Sequence, residues 1–112
     1  MLADVLLFSS PVYWFTYSAQ LKLFFDRLYA VQTETLSALK GKKIGIILAY
    51  GDVDQVSSGA INAIHTLQDT FKYTESEILG IVHGTGGAIG ATQKNRKLVK
   101  QARELGKKLI RL

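Results

Sequence analysis

Three short apolar runs constrain this chain more than any other feature: one within Ala3 to Ser9, one within Lys43 to Ala49 and one within Ile78 to His83. None alternates apolar with polar, so each is expected to be buried on both faces, as strands are inside a parallel sheet. Between and after them, apolar residues recur at helical spacing. Leu21, Phe24, Phe25, Leu28 and Val31 mark a helix that runs to about Gln32, with Thr16 or Ser18 as its cap. Ala60, Ile64, Leu67 and Phe71 mark a second, from about Val56 to Phe71. Leu98, Ala102, Leu105, Leu109 and Leu112 mark a third, from about Gln93 to Ile110. Thr33 to Lys42 is a polar connection with Gly41 as a natural stop. Three strands alternating with three helices form a βαβαβα pattern, which implies a parallel sheet joined by right-handed crossovers. At 112 residues the chain is one domain.

The first strand leads into Ser9-Ser10-Pro11-Val12-Tyr13-Trp14-Phe15-Thr16-Tyr17-Ser18-Ala19-Gln20-Leu21-Lys22. Proline fixes its own φ and pushes the preceding residue towards extended geometry, so the strand is expected to end at Ser10. Val12 to Phe15 are then presented at the carboxyl end of a strand, just before a helix. In open α/β sheets ligands bind outside those carboxyl ends. On the residues alone, Tyr13, Trp14, Phe15 and Tyr17 suit ordinary core packing and a flat-ligand platform equally.

The run Ser-Pro-Val-Tyr-Trp-Phe, then Ser-Ala-Gln-Leu-Lys and Phe-Phe-Asp-Arg-Leu, resembles the flavodoxin-like NAD(P)H-dependent FMN reductases and their iron-sulfur flavoprotein relatives. The resemblance continues to Ala102-Arg103-Glu104-Leu105-Gly106-Lys107-Lys108. It implies a flavodoxin-like three-layer α/β/α fold with a parallel sheet, of which residues 1–112 are a partial domain. Met1 falls where the family's third strand starts, after its phosphate-binding loop. The resemblance implies FMN held by Ser10, Pro11, Val12, Tyr13, Trp14 and Phe15, with Tyr50 and Gly51 of the next strand's loop beside them. It also implies NAD(P)H as electron donor and a small-molecule electron acceptor. Without the phosphate loop, FMN binding is expected to be weak or lost. The alternative is a non-catalytic oligomerisation or interaction module that kept the fold. In the sheet order 2-1-3-4-5, loss of the first two strands exposes Val5-Leu6-Leu7-Phe8 as an apolar edge. A homo-oligomer through that edge is therefore expected, in its simplest form a two-fold dimer.

There is no cysteine, which excludes disulfides, thiolate metal sites and a cysteine-held iron-sulfur cluster. No apolar run is long enough to span a bilayer, and no signal peptide is visible, so a cytoplasmic location is expected. The net charge of +5 lies wholly in the last helix: from Ala91 onward eight bases face one acid. A solvated outer face explains this better than nucleic acid or anionic lipid. Gly84 to Gly90 is glycine-rich, but a dinucleotide fingerprint needs glycine where Ile89 stands, and a Walker loop needs lysine where Ala91 stands. This loop reads more simply as a flexible connection before a helix. Asp52 and Asp54 fit either a ligand loop or a turn with a helix cap. His65 reads as surface and His83 as the end of a strand, and neither shows metal-ligand spacing. No residue carries a catalytic acid-base assignment, since in flavin enzymes the cofactor supplies the hydride chemistry.

Overall fold

A computed structural model describes residues 3–31, 38–86 and 89–111. In chain order the elements are β1 (Val5–Tyr13), β2 (Thr16–Tyr17), α1 (Ala19–Leu28), β3 (Lys43–Tyr50), α2 (Ala60–Tyr73), β4 (Glu77–Thr85), α3 (Ala91–Lys94) and α4 (Arg96–Ile110). A single 3-10 turn, Tyr29–Val31, continues α1. The sheet order is β2-β1-β3-β4. β1, β3 and β4 are parallel, with Leu6 opposite Ile44 and Ile46 opposite Ile81, and β2 is antiparallel to the end of β1. The architecture is thus flavodoxin-like α/β. Among the described residues it has four strands and four α-helices where the periodicity predicts three of each.

Both additions have local causes. β1 does not stop at Ser10 but runs through Pro11 to Tyr13, then turns back as β2. Lys43 N–H donates to the Asp4 carbonyl across the β1–β3 seam. By strand alternation, Pro11 then faces away from β3, where its missing N–H breaks no ladder bond. The last helix is broken at Asn95, whose ψ of 88° is not helical and whose side chain accepts from Leu98 N–H at 3.1 Å. α2 begins at Ala60, four residues later than expected. Asp54 first binds the N–H groups of Val56 and Ser57, and Gly59 sits at φ 81°. The predicted connection at residues 33–37, like Gln32 and Leu112, lies outside the described residues.

Two apolar layers flank the sheet. On one face Phe8, Ile44, Ile46 and Leu48 pack with Ala63, Leu67 and Phe71 of α2, and with Leu21, Phe25 and Leu28 of α1. On the other, Ile47, Leu79 and Val82 meet Leu98, Leu105 and Leu109 of α4. α4 lies close because the sheet offers glycines beneath it. A Cβ at Gly45 would stand 2.7 Å from Leu109 Cδ1, and one at Gly80 would stand 2.7 Å from Leu105 Cδ1. α1 is held more loosely, and none of its residues is fully buried. No helix among the described residues is long and apolar enough to cross a membrane.

Candidate functional site at the carboxyl ends of the strands

The parallel strands bring the β1–β2 turn and the loop after β3 together at one end of the sheet. The turn is a two-residue hairpin, because Tyr13 pairs with Thr16 and only Trp14 and Phe15 lie between. Their φ values are 48° and 71°. Such tight hairpins favour two left-handed residues, normally Asn and Gly, so two aromatics here store strain. The surroundings hold the turn in place. Asn62 Nδ2 of α2 donates to the Phe15 carbonyl at 3.1 Å. Gly59 lets Phe15 lie against the backbone, since a Cβ there would come within 2.4 Å of Phe15 Cα. Below, Ser10 is buried, accepting from Ser18 N–H at 2.9 Å and donating to the Pro11 carbonyl at 2.7 Å. Ser18 then caps α1, accepting from Leu21 N–H.

The four aromatics divide. Tyr17 packs inward, edge-on to Phe25 at 5.9 Å. Tyr13, Trp14 and Phe15 face outward, Trp14 at 92 % exposure.

The loop after β3 starts from Tyr50, which is buried and bonded through its hydroxyl to His83 Nδ1 at 2.9 Å. Burial pushes the Tyr50 hydroxyl pKa upward, and the nearby Asp54 carboxylate adds to the effect. Gly86 N–H donates to the Tyr50 carbonyl and Thr85 Oγ1 to the Asp52 carbonyl, which ties this loop to β4. Asp54 is held below the usual carboxylate range, chiefly by the Ser57 N–H. It therefore acts as a turn residue here.

Between the two loops lies a cleft of about 220 Å³ lined by Val12, Trp14, Phe15, Tyr50, Gly51, Asp52, Ser57 and Ser58. It gathers five of the eight residues that the resemblance singles out. Ser10 lies buried beneath, and Pro11 and Tyr13 are exposed nearby but outside the lining. Ser57 and Ser58 were not anticipated. Their only sequence signal is a Ser-Ser-Gly before a helix, which reads as a turn. On the far side of Tyr50 a second, more polar cleft of about 350 Å³ includes His83, Thr85, Asn95, Lys97 and Gln101. The first cleft is walled by aromatic rings with two serines and Asp52, and among the described residues no cationic side chain lines it. That suits a flat conjugated ring with polar edges, and no residue of the lining supplies a charge for a phosphate. An apolar cavity of about 410 Å³ between α1 and α2, with Phe25, Leu28 and Tyr73 in its wall, lies away from these loops.

A family model described as a flavodoxin-like fold matches residues 1–109. Among solved structures, the Trp repressor binding protein from Bacillus subtilis superposes with a TM-score of 0.80 at 25% identity. That match covers 93% of this chain and 69% of the other. An NADPH-quinone reductase from P. pentosaceus matches with a TM-score of 0.59 at 22% identity, over 73% of this chain and 54% of the other. A thermophilic tryptophan halogenase structure from Streptomycin violaceusniger gives 0.65 at 22%, over 88% and 67% respectively. The chain thus spans between about half and about two-thirds of the length of these structures. No curated protein sequence matches it significantly.

Proposed function

Because this chain belongs to the flavodoxin-like fold family, we propose that it is a flavin-binding oxidoreductase module of the NAD(P)H-dependent FMN reductase type, working in the cytoplasm. The observation that carries the reading is the cleft between Trp14–Phe15 and Tyr50–Gly51, at the carboxyl ends of β1 and β3. Such a crevice is where open α/β sheets take their ligands. FMN bound there would supply hydride chemistry between a nicotinamide donor and a small acceptor. The chain's own residues have narrower tasks. Trp14 and Phe15 would cover a face of the ring, backbone groups of Val12 and Gly51 would meet its polar edge, and Tyr50 would close the floor. Held in a strained turn by Gly59 and Asn62, the aromatics are already placed before ligand arrives, which lowers the ordering cost of binding.

The cleft is smaller than the 300–1,000 Å³ or so of typical ligand pockets. The lining would therefore hold the ring alone, and none of its residues would hold the ribityl phosphate. FMN titration followed by flavin fluorescence tests this, with saturable quenching expected at micromolar protein. A flat titration with no visible absorbance would overturn the proposal. The outer edge of β1 from Val5 to Pro11, uncharged and unpaired among the described residues, favours a second reading, a non-catalytic interaction module, which predicts that flat titration.

A further inference from the structure

The cleft on the far side of Tyr50 differs in chemistry from the one beside Trp14 and Phe15. It measures about 350 Å³ and lies where the carboxyl end of β4 meets the first turns of α4. Tyr50, His83, Thr85, Asn95, Lys97 and Gln101 supply its polar groups, and among the described residues no carboxylate lines it. The first cleft is the reverse, with Asp52 in its lining and no cation among the described residues.

Some of these groups are already engaged. Asn95 donates through Nδ2 to the Thr85 carbonyl and accepts through Oδ1 from Leu98 N–H, while Thr85 Oγ1 donates to the Asp52 carbonyl. Others are not. Lys97 and Gln101 stand four residues apart on α4 and so share one face of it. Among the described residues neither side chain has a hydrogen bond or an ion pair. His83 is joined to the Tyr50 hydroxyl through Nδ1 at 2.9 Å. A neutral ring that accepts there carries its proton on Nε2, which makes His83 a further donor. Asp54, the carboxylate that acts on Tyr50, is itself bound by the N–H groups of Val56 and Ser57.

An ammonium, an amide and an imidazole with no carboxylate beside them suit an anion. A phosphoryl group, with several strong acceptor oxygens, can take hydrogen bonds from all three. We propose that the cleft between β4 and α4 is a phosphate subsite for a nucleotide that also reaches the cleft beside Trp14 and Phe15. Tyr50 lines both clefts, so such a ligand passes only one side chain between them. The identity of the nucleotide rests on the proposed flavin reading: FMN would place its own phosphate here, or the nicotinamide donor its diphosphate.

The first test is calorimetric titration of the full chain with ADP, without flavin, so that this inference and the flavin reading can fail separately. Saturable binding of ADP is expected, and none of adenosine. Lys97→Gln is expected to weaken ADP binding about tenfold, the worth of one hydrogen bond to a charged group. Lys107→Gln removes the same charge from the same helix but lies outside the cleft, and it is expected to leave ADP binding unchanged. Both are compared at about 0.15 M salt, where exposed charges more than about 8 Å apart are largely screened. The same variants then separate the two sources. FMN binding more tightly than riboflavin, with the difference erased by Lys97→Gln, assigns the subsite to the flavin phosphate. Equal binding of FMN and riboflavin, with NADPH weakened by Lys97→Gln, assigns it to the donor. A flat FMN titration beside Lys97-dependent ADP binding leaves the subsite standing and removes the flavin. ADP that binds no better than adenosine overturns the inference, as does a Lys97→Gln loss no larger than that of Lys107→Gln.

Discussion

Trp14 and Phe15 hold backbone conformations that their own side chains oppose. A left-handed residue costs about 1–2 kcal/mol when it is not glycine, asparagine or aspartate. Nothing in the packing rewards Trp14 for this, since its side chain is almost wholly in solvent. Trp14→Asn is therefore expected to stabilise the fold by about 1 kcal/mol in urea unfolding, because Asn tolerates this region. It should also weaken FMN binding several-fold, since an aromatic contact is worth about 1 kcal/mol. A gain in both would remove Trp14 from the site. Tyr50 has the opposite character, with its ring buried and its hydroxyl bonded to His83. Tyr50→Phe is expected to cost about 1 kcal/mol for the lost hydrogen bond. Its pH signature has a definite sign. Burial raises the folded pKa above the ordinary 10.0, so the folded chain keeps the proton that the unfolded chain releases. That stability is present below pH 10.0 and is lost as pH rises through the folded value. Thermal melts above pH 10 should therefore fall more steeply for wild type than for Tyr50→Phe.

The elements meet the site through their ends. α2 starts late so that Gly59 and Asn62 can grip the hairpin, and β1 runs long so that the hairpin exists at all. Asn95 performs two tasks where α3 stops and α4 starts. Its Oδ1 caps Leu98 N–H and its Nδ2 donates to the Thr85 carbonyl at the end of β4. Replacing a helix cap by alanine costs about 1 kcal/mol, up to about 2. Asn95→Ala is expected at the upper end of that range, because the bond to β4 is lost with the cap. Hydrogen exchange should report the loss first in the opening turn of α4. Uniform deprotection across the sheet would contradict a local role.

At the scale of the whole molecule the β4 edge of the sheet is covered by Lys108 of α4, which donates to the Leu79 carbonyl at 2.7 Å. Salt bridges add little to this. Those between Lys22 and Asp26 and between Lys40 and Glu75 are largely exposed, and exposed pairs contribute between about 0 and 1 kcal/mol. The edge lysine matters more for what it prevents. Lys108→Ala uncovers the Leu79 carbonyl and is expected to raise light scattering of concentrated protein while shifting the urea midpoint little. Equal scattering in both proteins would show that the guard is not needed.

The sequence by itself determined the class of fold. The three non-alternating apolar runs could be buried only as parallel strands, and the helical stripes supplied what covers them. The Ser-Pro-Val-Tyr-Trp-Phe run lies at the carboxyl end of β1, as its proline and position suggest, and Tyr50-Gly51 lies in the loop beside it. What the residues could not determine was which aromatic faces where. Tyr13, Trp14, Phe15 and Tyr17 are alike in composition, and their orientation depends on a hairpin whose turn breaks the usual residue preference. That turn is held by Gly59 and Asn62, more than forty positions away, so no local signal contains it. Ser57 and Ser58 joined the cleft for the same reason, since they reach it from the turn before α2, a helix fixed by packing of residues such as Leu67 and Phe71 on the sheet. The guarding of one edge by Lys108 is likewise a contact between α4 and β4 that no spacing announces. Burial periodicity is local and can be read along the chain, whereas strained turns and edge contacts depend on neighbours that only tertiary packing brings together.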